Sequence, residues 1–282
     1  MDLRLRTGPP RAVPTPMPSP TPTMRSREAG HAAVGECLSA VVAGRQRSRL
    51  EQVLGISPLR PAAVRRMERV RLEQETGRQL SRLPADWTVL HSVPVGSAVV
   101  PHLAIGPAGV FAVFPQDVRD ASVWISAELL SVDGVSSDAS AEADAAVSLV
   151  EDRLGPVLGR GIEVVPVVAF PEPRQLVVRA AAERVRVLAA ADVVPWLKSL
   201  PEVCSALIVD RLADAAELPA TWGAAAGESG QQRLRFQRLQ ADLRLADLRW
   251  RRTVRVLVTA SGIVVAGSAT ALALLVGALL PS

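Results

Sequence analysis

The chain has 282 residues, 49% apolar and 21% charged, which suits one medium domain with appendages or two small ones and excludes a wholly disordered protein. Aromatic residues make up only 3% and Tyr is absent, so any core is built from Val, Leu and Ala. Two cysteines, Cys37 and Cys204, exclude a disulfide scaffold or Cys-rich zinc module, three histidines are too few for most metal cages, and the net charge of +4 names no partner.

Residues 1–27 read as a Pro-rich disordered tail, because a Pro at every second position from Pro14 to Pro22 forbids a helix and favours solvated polyproline II. No apolar run marks a signal peptide there. Residues 28–60 show weak helical periodicity broken by Gly30, Gly35 and Gly44. From Pro61, apolar residues at Val64, Met67, Val70, Leu72, Leu80 and Leu83 predict a helix that ends by Pro84.

The period then becomes that of strands. Trp87 to Val93 alternates, Val99 to Ile105 is a second run, and Gly106-Pro107-Ala108-Gly109 predicts a reversal into a third strand over Val110 to Phe114. Short strands are expected over 122–126 and 128–132, then a helix over 138–154 capped by Asp138. The continuous apolar run from Ile162 to Phe170 fits a strand covered on both faces. A strand over 185–188, a helix opened by Asp192 and an apolar strand beginning at Cys204 complete the segment, with Cys204 buried and inert. Alternating strands and helices over 61–222 predict one α/β domain, and roughly 160 residues suffice for a single core.

Residues 223–232 read as a polar linker, and 233–255 as a basic amphipathic helix carrying eight arginines. Residues 256–280 follow without a charge; as a helix they would be roughly 37 Å long, enough to span the hydrocarbon core of a bilayer. Arg249, Arg251, Arg252 and Arg255 precede this run, so the positive-inside rule places the folded part in the cytoplasm as a tail-anchored, single-pass protein of the inner (plasma) membrane. Of the 32 basic residues all but Lys198 are Arg, which with the Ala and Val content points to a GC-rich bacterial genome. Membrane lipid is the expected partner of the basic helix, leucines inward and arginines toward headgroups. Nucleic acid is a second partner that an arginine cluster admits, and Gly262 with Ala266 has a spacing that lets two transmembrane helices associate into a homo-oligomer. No protein partner is indicated.

LEQETGRQLSRLPADWTVLHSVPV and VVPHLAIGPAGVFAVFPQ, with VVPVVAF at 164–170 and Thr221-Trp222, resemble a NERD (nuclease-related) domain over roughly residues 65–222. The resemblance implies a restriction-endonuclease-like mixed sheet flanked by helices. It also implies chemistry in which a divalent cation such as Mg²⁺ is held by acidic oxygens beside a Lys. On that pattern Glu73 matches the helix Glu and His102 the His of an Asp-His pair. Pro101 stands at the Asp, Phe114 at the second acid and Gln116 at the Lys.

Pro and Phe cannot ligate Mg²⁺ and neutral Gln cannot replace an ammonium, so the domain is read as catalytically degenerate, with no metal or other cofactor. An active nuclease would need relocated ligands, for which Asp86, Asp117, Asp120 and Arg119 are the nearby candidates. The residues themselves give milder readings: Glu73 a solvent-facing helix residue paired with Arg69 or Arg78, and His91 and His102 two structural histidines on adjacent strands that could face each other. No catalytic triad or dinucleotide fingerprint appears, and Gly155 to Gly161 lacks the Lys-Ser/Thr of a phosphate loop. The expected role is a membrane-tethered binding or scaffolding module; the alternatives are a Mg²⁺-dependent membrane-associated nuclease and an oligomerising structural protein.

Overall fold

A computed structural model describes residues 23–43, 48–54, 57, 59, 61–116, 118–126, 129–180, 184–223 and 231–255. The Pro-rich stretch up to residue 22, residues 224–230 of the expected linker, Asp117 and the uncharged run 256–280 with its Gly262–Ala266 spacing lie outside the described residues. Among the described residues, no helix is long and apolar enough to cross a membrane.

In chain order the elements are α1 (His31–Val42), α2 (Arg49–Val53), α3 (Pro61–Leu80), β1 (Thr88–Val95), β2 (Ala98–Gly106), β3 (Gly109–Pro115), β4 (Ser122–Ser126), β5 (Leu129–Val132) and β6 (Val135–Ser137). There follow α4 (Ala139–Leu158), β7 (Val164–Phe170), β8 (Gln175–Ala180), β9 (Arg186–Ala189), α5 (Val193–Ser199), α6 (Ala206–Glu217) and a last helix, α7, over 231–255. They form a mixed α/β fold with two mixed sheets flanked by helices, ordered β1-β2-β3-β7-β9 and β6-β5-β4-β8. β1, β2 and β3 are an antiparallel meander, and β7 and β9 add in parallel. The hairpin between β2 and β3 closes at the Gly106–Gly109 pair, with Gly109 at φ +123°, a conformation that a Cβ disfavours.

Strand alternation divides the core. Leu103 and Ile105 of β2 with Val110 and Ala112 of β3 face α4 and α6, where Val147, Val150, Leu154 and Leu212 cover them. Ala104, Phe111 and Val113 face the other way, onto Leu80 at the end of α3 and Val193 and Leu197 of α5. β7 is buried from both sides, as its unbroken apolar run requires. Its Val168 and Phe170 carry the core on to Val123, Ile125 and Leu130 of the second sheet.

Four sequence-based expectations need correction. The stretch after Cys204 is a helix, not a strand. Its β-branched start reads as sheet, but the buried residues Val209, Leu212, Ala213 and Ala216 recur at helical spacing. Cys204 is half-buried rather than buried, and its backbone N–H donates to the Pro107 carbonyl at 2.8 Å, as does that of Val203. Asp138 stands at the start of α4 but its side chain makes no cap hydrogen bond.

The fourth correction concerns the basic helix. Phe236 and Leu239 of α7, with Leu243 beside them, pack into a cluster with Ala33, Val34 and Cys37 of α1 and Met67 and Val70 of α3. Gln232 Nε2 donates to the His31 carbonyl at 2.7 Å, and Thr253 Oγ1 to the Leu54 carbonyl at 3.4 Å. Phe236 and Leu239 are therefore part of the protein interior and cannot also face lipid. Leu234, Leu245 and Leu248 lie on the outward side, exposed.

Candidate functional site

The helix α3 carries two buried stripes. Met67 and Val70 face α1 and α7, while Glu73, Thr76, Gly77 and Leu80, spaced three and four apart, form the second. Glu73 is 2% exposed, which overturns the solvent-facing reading. Arg69 Nε, one turn back, donates to its Oε1 at 3.1 Å, whereas Arg78 pairs with Glu75 instead. Burial raises the Glu73 pKa, Arg69 opposes that by attraction and hydrogen bonding, and Glu36 on α1 adds to the rise. Its Oε2, with Thr76 Oγ1 and Gln79 Oε1, has no hydrogen-bond partner among the described residues.

Beneath this stripe lie two imidazoles. His91 on β1 and His102 on β2 are direct cross-strand partners, their Nδ1 atoms 2.9 Å apart and their rings at 88°. One Nδ1–H donates to the other ring's Nδ1, and the tautomers decide which. His102 is fully buried, its Nε2 has no partner, and burial holds its pKa well below the usual imidazole value. Burial also lowers His91, to about 4. Both rings are therefore neutral near pH 7.

Gly77 lets α3 approach this pair. A Cβ there would lie 3.5 Å from His91 Cε1, 3.7 Å from His102 Cε1 and only 2.5 Å from the Cβ of Ala29. Ala29 belongs to an N-terminal segment that is stitched to the edge of β1. Arg27 Nη1 donates to the Ser92 carbonyl at 2.8 Å, and the Ala32 N–H donates to Ser92 Oγ at 3.2 Å. Ser92 has φ +51° and falls between the His91–His102 and Val93–Val100 pairs, where the ladder has a gap. Its opposite number is Pro101, which has no N–H to give, so the Ser92 carbonyl is available to Arg27.

The remaining positions of the nuclease pattern lie elsewhere. One residue on from Val113, Phe114 projects from the opposite face of the sheet, the face of Leu103 and Ile105, while Pro101 is buried next to His102 in β2. Phe114 packs there between the main core and the second sheet's core. Gln116 follows the end of β3, half-exposed, its backbone N–H donating to the Ala169 carbonyl at 2.8 Å. No hydrogen bond joins Glu73, His102 and Gln116 to one another; their partners are Arg69, His91 and the Ala169 carbonyl. Asp86 and Asp120 are exposed, Asp120 at φ +51°, and among the described residues no group of three or more His, Cys, Asp or Glu could hold a metal ion.

The arginines before the uncharged run divide their roles. Arg249 Nη1 donates to the Gln52 carbonyl at 3.3 Å, at the end of α2, and Arg251 pairs with Asp247 at 2.9 Å. Arg252 and Arg255 are exposed. The structural importance of Gly77 and Ser92 escapes sequence reading; the one available signal is a Gly inside a charge-rich helix.

No family model matches the chain, and neither a curated protein nor a solved structure matches it.

Proposed function

We propose that the chain is a membrane-tethered, cytoplasm-facing binding or scaffolding protein of the bacterial inner membrane, built on a nuclease-related domain without catalysis. The observation that carries this reading is the fate of the counterparts of the metal-binding acids. Pro101 is buried within β2 and Phe114 packs into the apolar core on one sheet face, while Glu73 is buried against Arg69 on a helix over the face opposite Phe114. A water-activating metal needs several acidic oxygens on one open wall. The likeness of residues 65–222 to a NERD domain supports the restriction-endonuclease-like assignment, since a mixed sheet between helices is what it implies. The charge-free sequence of 256–280, following four arginines, supports a single transmembrane helix with the folded mass on the cytoplasmic side.

The soluble part, residues 23–255, incubated with DNA or RNA in Mg²⁺ or Mn²⁺, is expected to leave both intact. Cleavage abolished by Glu73→Ala would establish the active nuclease instead. Salt-sensitive retention of nucleic acid in EDTA would identify that polyanion as the domain's ligand. The full chain should resist carbonate extraction from membranes and the chain lacking 256–282 should not.

A further inference from the structure

A groove of about 490 Å³ runs between α3 and the C-terminal part of α7. Its floor is Val64 and Met67 from α3 and Leu243, Ala246 and Trp250 from α7. Trp250 is 47% exposed and Val64 37%, so the groove leaves apolar surface in water that the fold itself does not cover. Two adjoining depressions share Arg71 with it and bring Arg65, Arg119 and Arg244 to its margin. None of these four arginines makes an ion pair with a described residue; of the two acids on the lining, Asp247 is paired with Arg251 and Glu68 alone is left to oppose them.

The volume falls within the range of small-ligand clefts, about 300–1,000 Å³. An apolar trough bordered by unpaired guanidinium groups is complementary to an anionic amphiphile: the floor takes a hydrocarbon chain and the arginines take a phosphate. Position selects the source. Trp250 lies little more than one turn before Arg255, after which the sequence runs 25 residues without a charge, so the groove is at the end of α7 nearest that run. Tryptophan is also the side chain most at home at the headgroup level.

We propose that the groove between α3 and α7 seats one anionic phospholipid drawn from the cytoplasmic leaflet of the bilayer that residues 256–280 span. The acyl chain lies on Val64, Met67, Leu243 and Trp250, and the phosphate lies among Arg65, Arg71, Arg119 and Arg244. This assignment rests on the transmembrane reading of 256–280. It names a headgroup charge and a seat that the reading alone does not require.

The test uses the full chain in vesicles that contain equal mole fractions of phosphatidylglycerol and phosphatidylcholine, with one or the other brominated in its acyl chains. The quenching lost on Trp250→Phe isolates Trp250 from the other tryptophans. Brominated phosphatidylglycerol is expected to quench Trp250 more strongly than brominated phosphatidylcholine. Arg71→Gln with Arg244→Gln, both exposed positions, is expected to weaken that preference roughly fivefold or more while leaving carbonate resistance unchanged. Equal quenching by the two lipids, or a preference that survives the double variant, overturns the proposal. Quenching by neither lipid in a carbonate-resistant chain overturns it while sparing the anchor, and a dimer on crosslinking would then assign the groove to a second copy. Release of the chain by carbonate removes the anchor and the lipid seat together.

Discussion

His91 and His102 meet Nδ1 to Nδ1 at 2.9 Å across the first two strands, both in surroundings that disfavour the imidazolium form. A second proton on the pair would set two charges in contact inside the sheet.

The pH dependence follows from the direction of the shifts. His91 falls from 6.5 to about 4 and His102 is also held well below 6.5 by burial, so the unfolded chain binds more protons below 6.5. Stability is fully present above 6.5 and is lost as pH falls toward 4, by at most about 3 kcal/mol for His91. Glu73 acts in the opposite sense: its raised pKa gives stability below 4.5 that is lost as pH rises through the folded value. Thermal unfolding of residues 23–255 should therefore show a melting temperature that falls on acidification from pH 6.5. The slope should flatten in His91→Asn/His102→Asn and steepen in Glu73→Gln.

Among the described residues, Arg69 and Glu73 form the one ion pair with a buried carboxylate partner, at 3.1 Å. Removing the arginine leaves that carboxylate uncompensated, so Arg69→Ala is expected to cost about 3 kcal/mol in urea unfolding at pH 7. Glu73→Gln keeps the shape and removes the charge, and should cost less. The order of the two midpoints is the check; equal losses would mean that Glu73 is solvated.

Gly77→Ala should be destabilising even though Ala is the better helix former by about 1 kcal/mol. The added methyl would stand 2.5 Å from Ala29, and the N-terminal segment must retreat to admit it. We expect a net loss of about 1–3 kcal/mol and a new proteolytic cut within residues 23–32, visible by mass spectrometry. Protection unchanged from the parent would show that the helix and the segment can separate without loss.

Trimming the chain to 61–222 should harm it more than the domain pattern suggests. Met67 and Val70 are 3% and 0% exposed only because α1 and α7 cover them. The shorter piece is expected to bind a hydrophobic dye and to unfold at lower urea concentration than 23–255.

Much of this architecture is legible in the residues. The Gly106–Gly109 turn and the unbroken apolar run of β7 are local signals that the packing keeps, whereas the alternation of β1 breaks at Ser92, on either side of which Leu90 and Val93 enter the same core cluster. β8 is not legible, because QLVVRA is short, preceded by Arg174 and interrupted by Arg179, and β6 is only three residues long. The burial of Glu73 could not be read from its charged neighbours, because Ala29, Glu36 and the imidazoles that surround its stripe arrive from elements far away in sequence. The opposition of Ser92 and Pro101 depends on register, which a single strand does not encode.

The seating of α7 in the protein interior has a mechanical consequence. Phe236 and Leu239 bolt this helix to α1 and α3, and Arg249 and Thr253 fasten its far end to α2. The folded mass does not swing from its last described helix as from a hinge. A pull or twist applied to the chain beyond Arg255 is delivered directly to the layer that closes over Gly77 and the paired imidazoles.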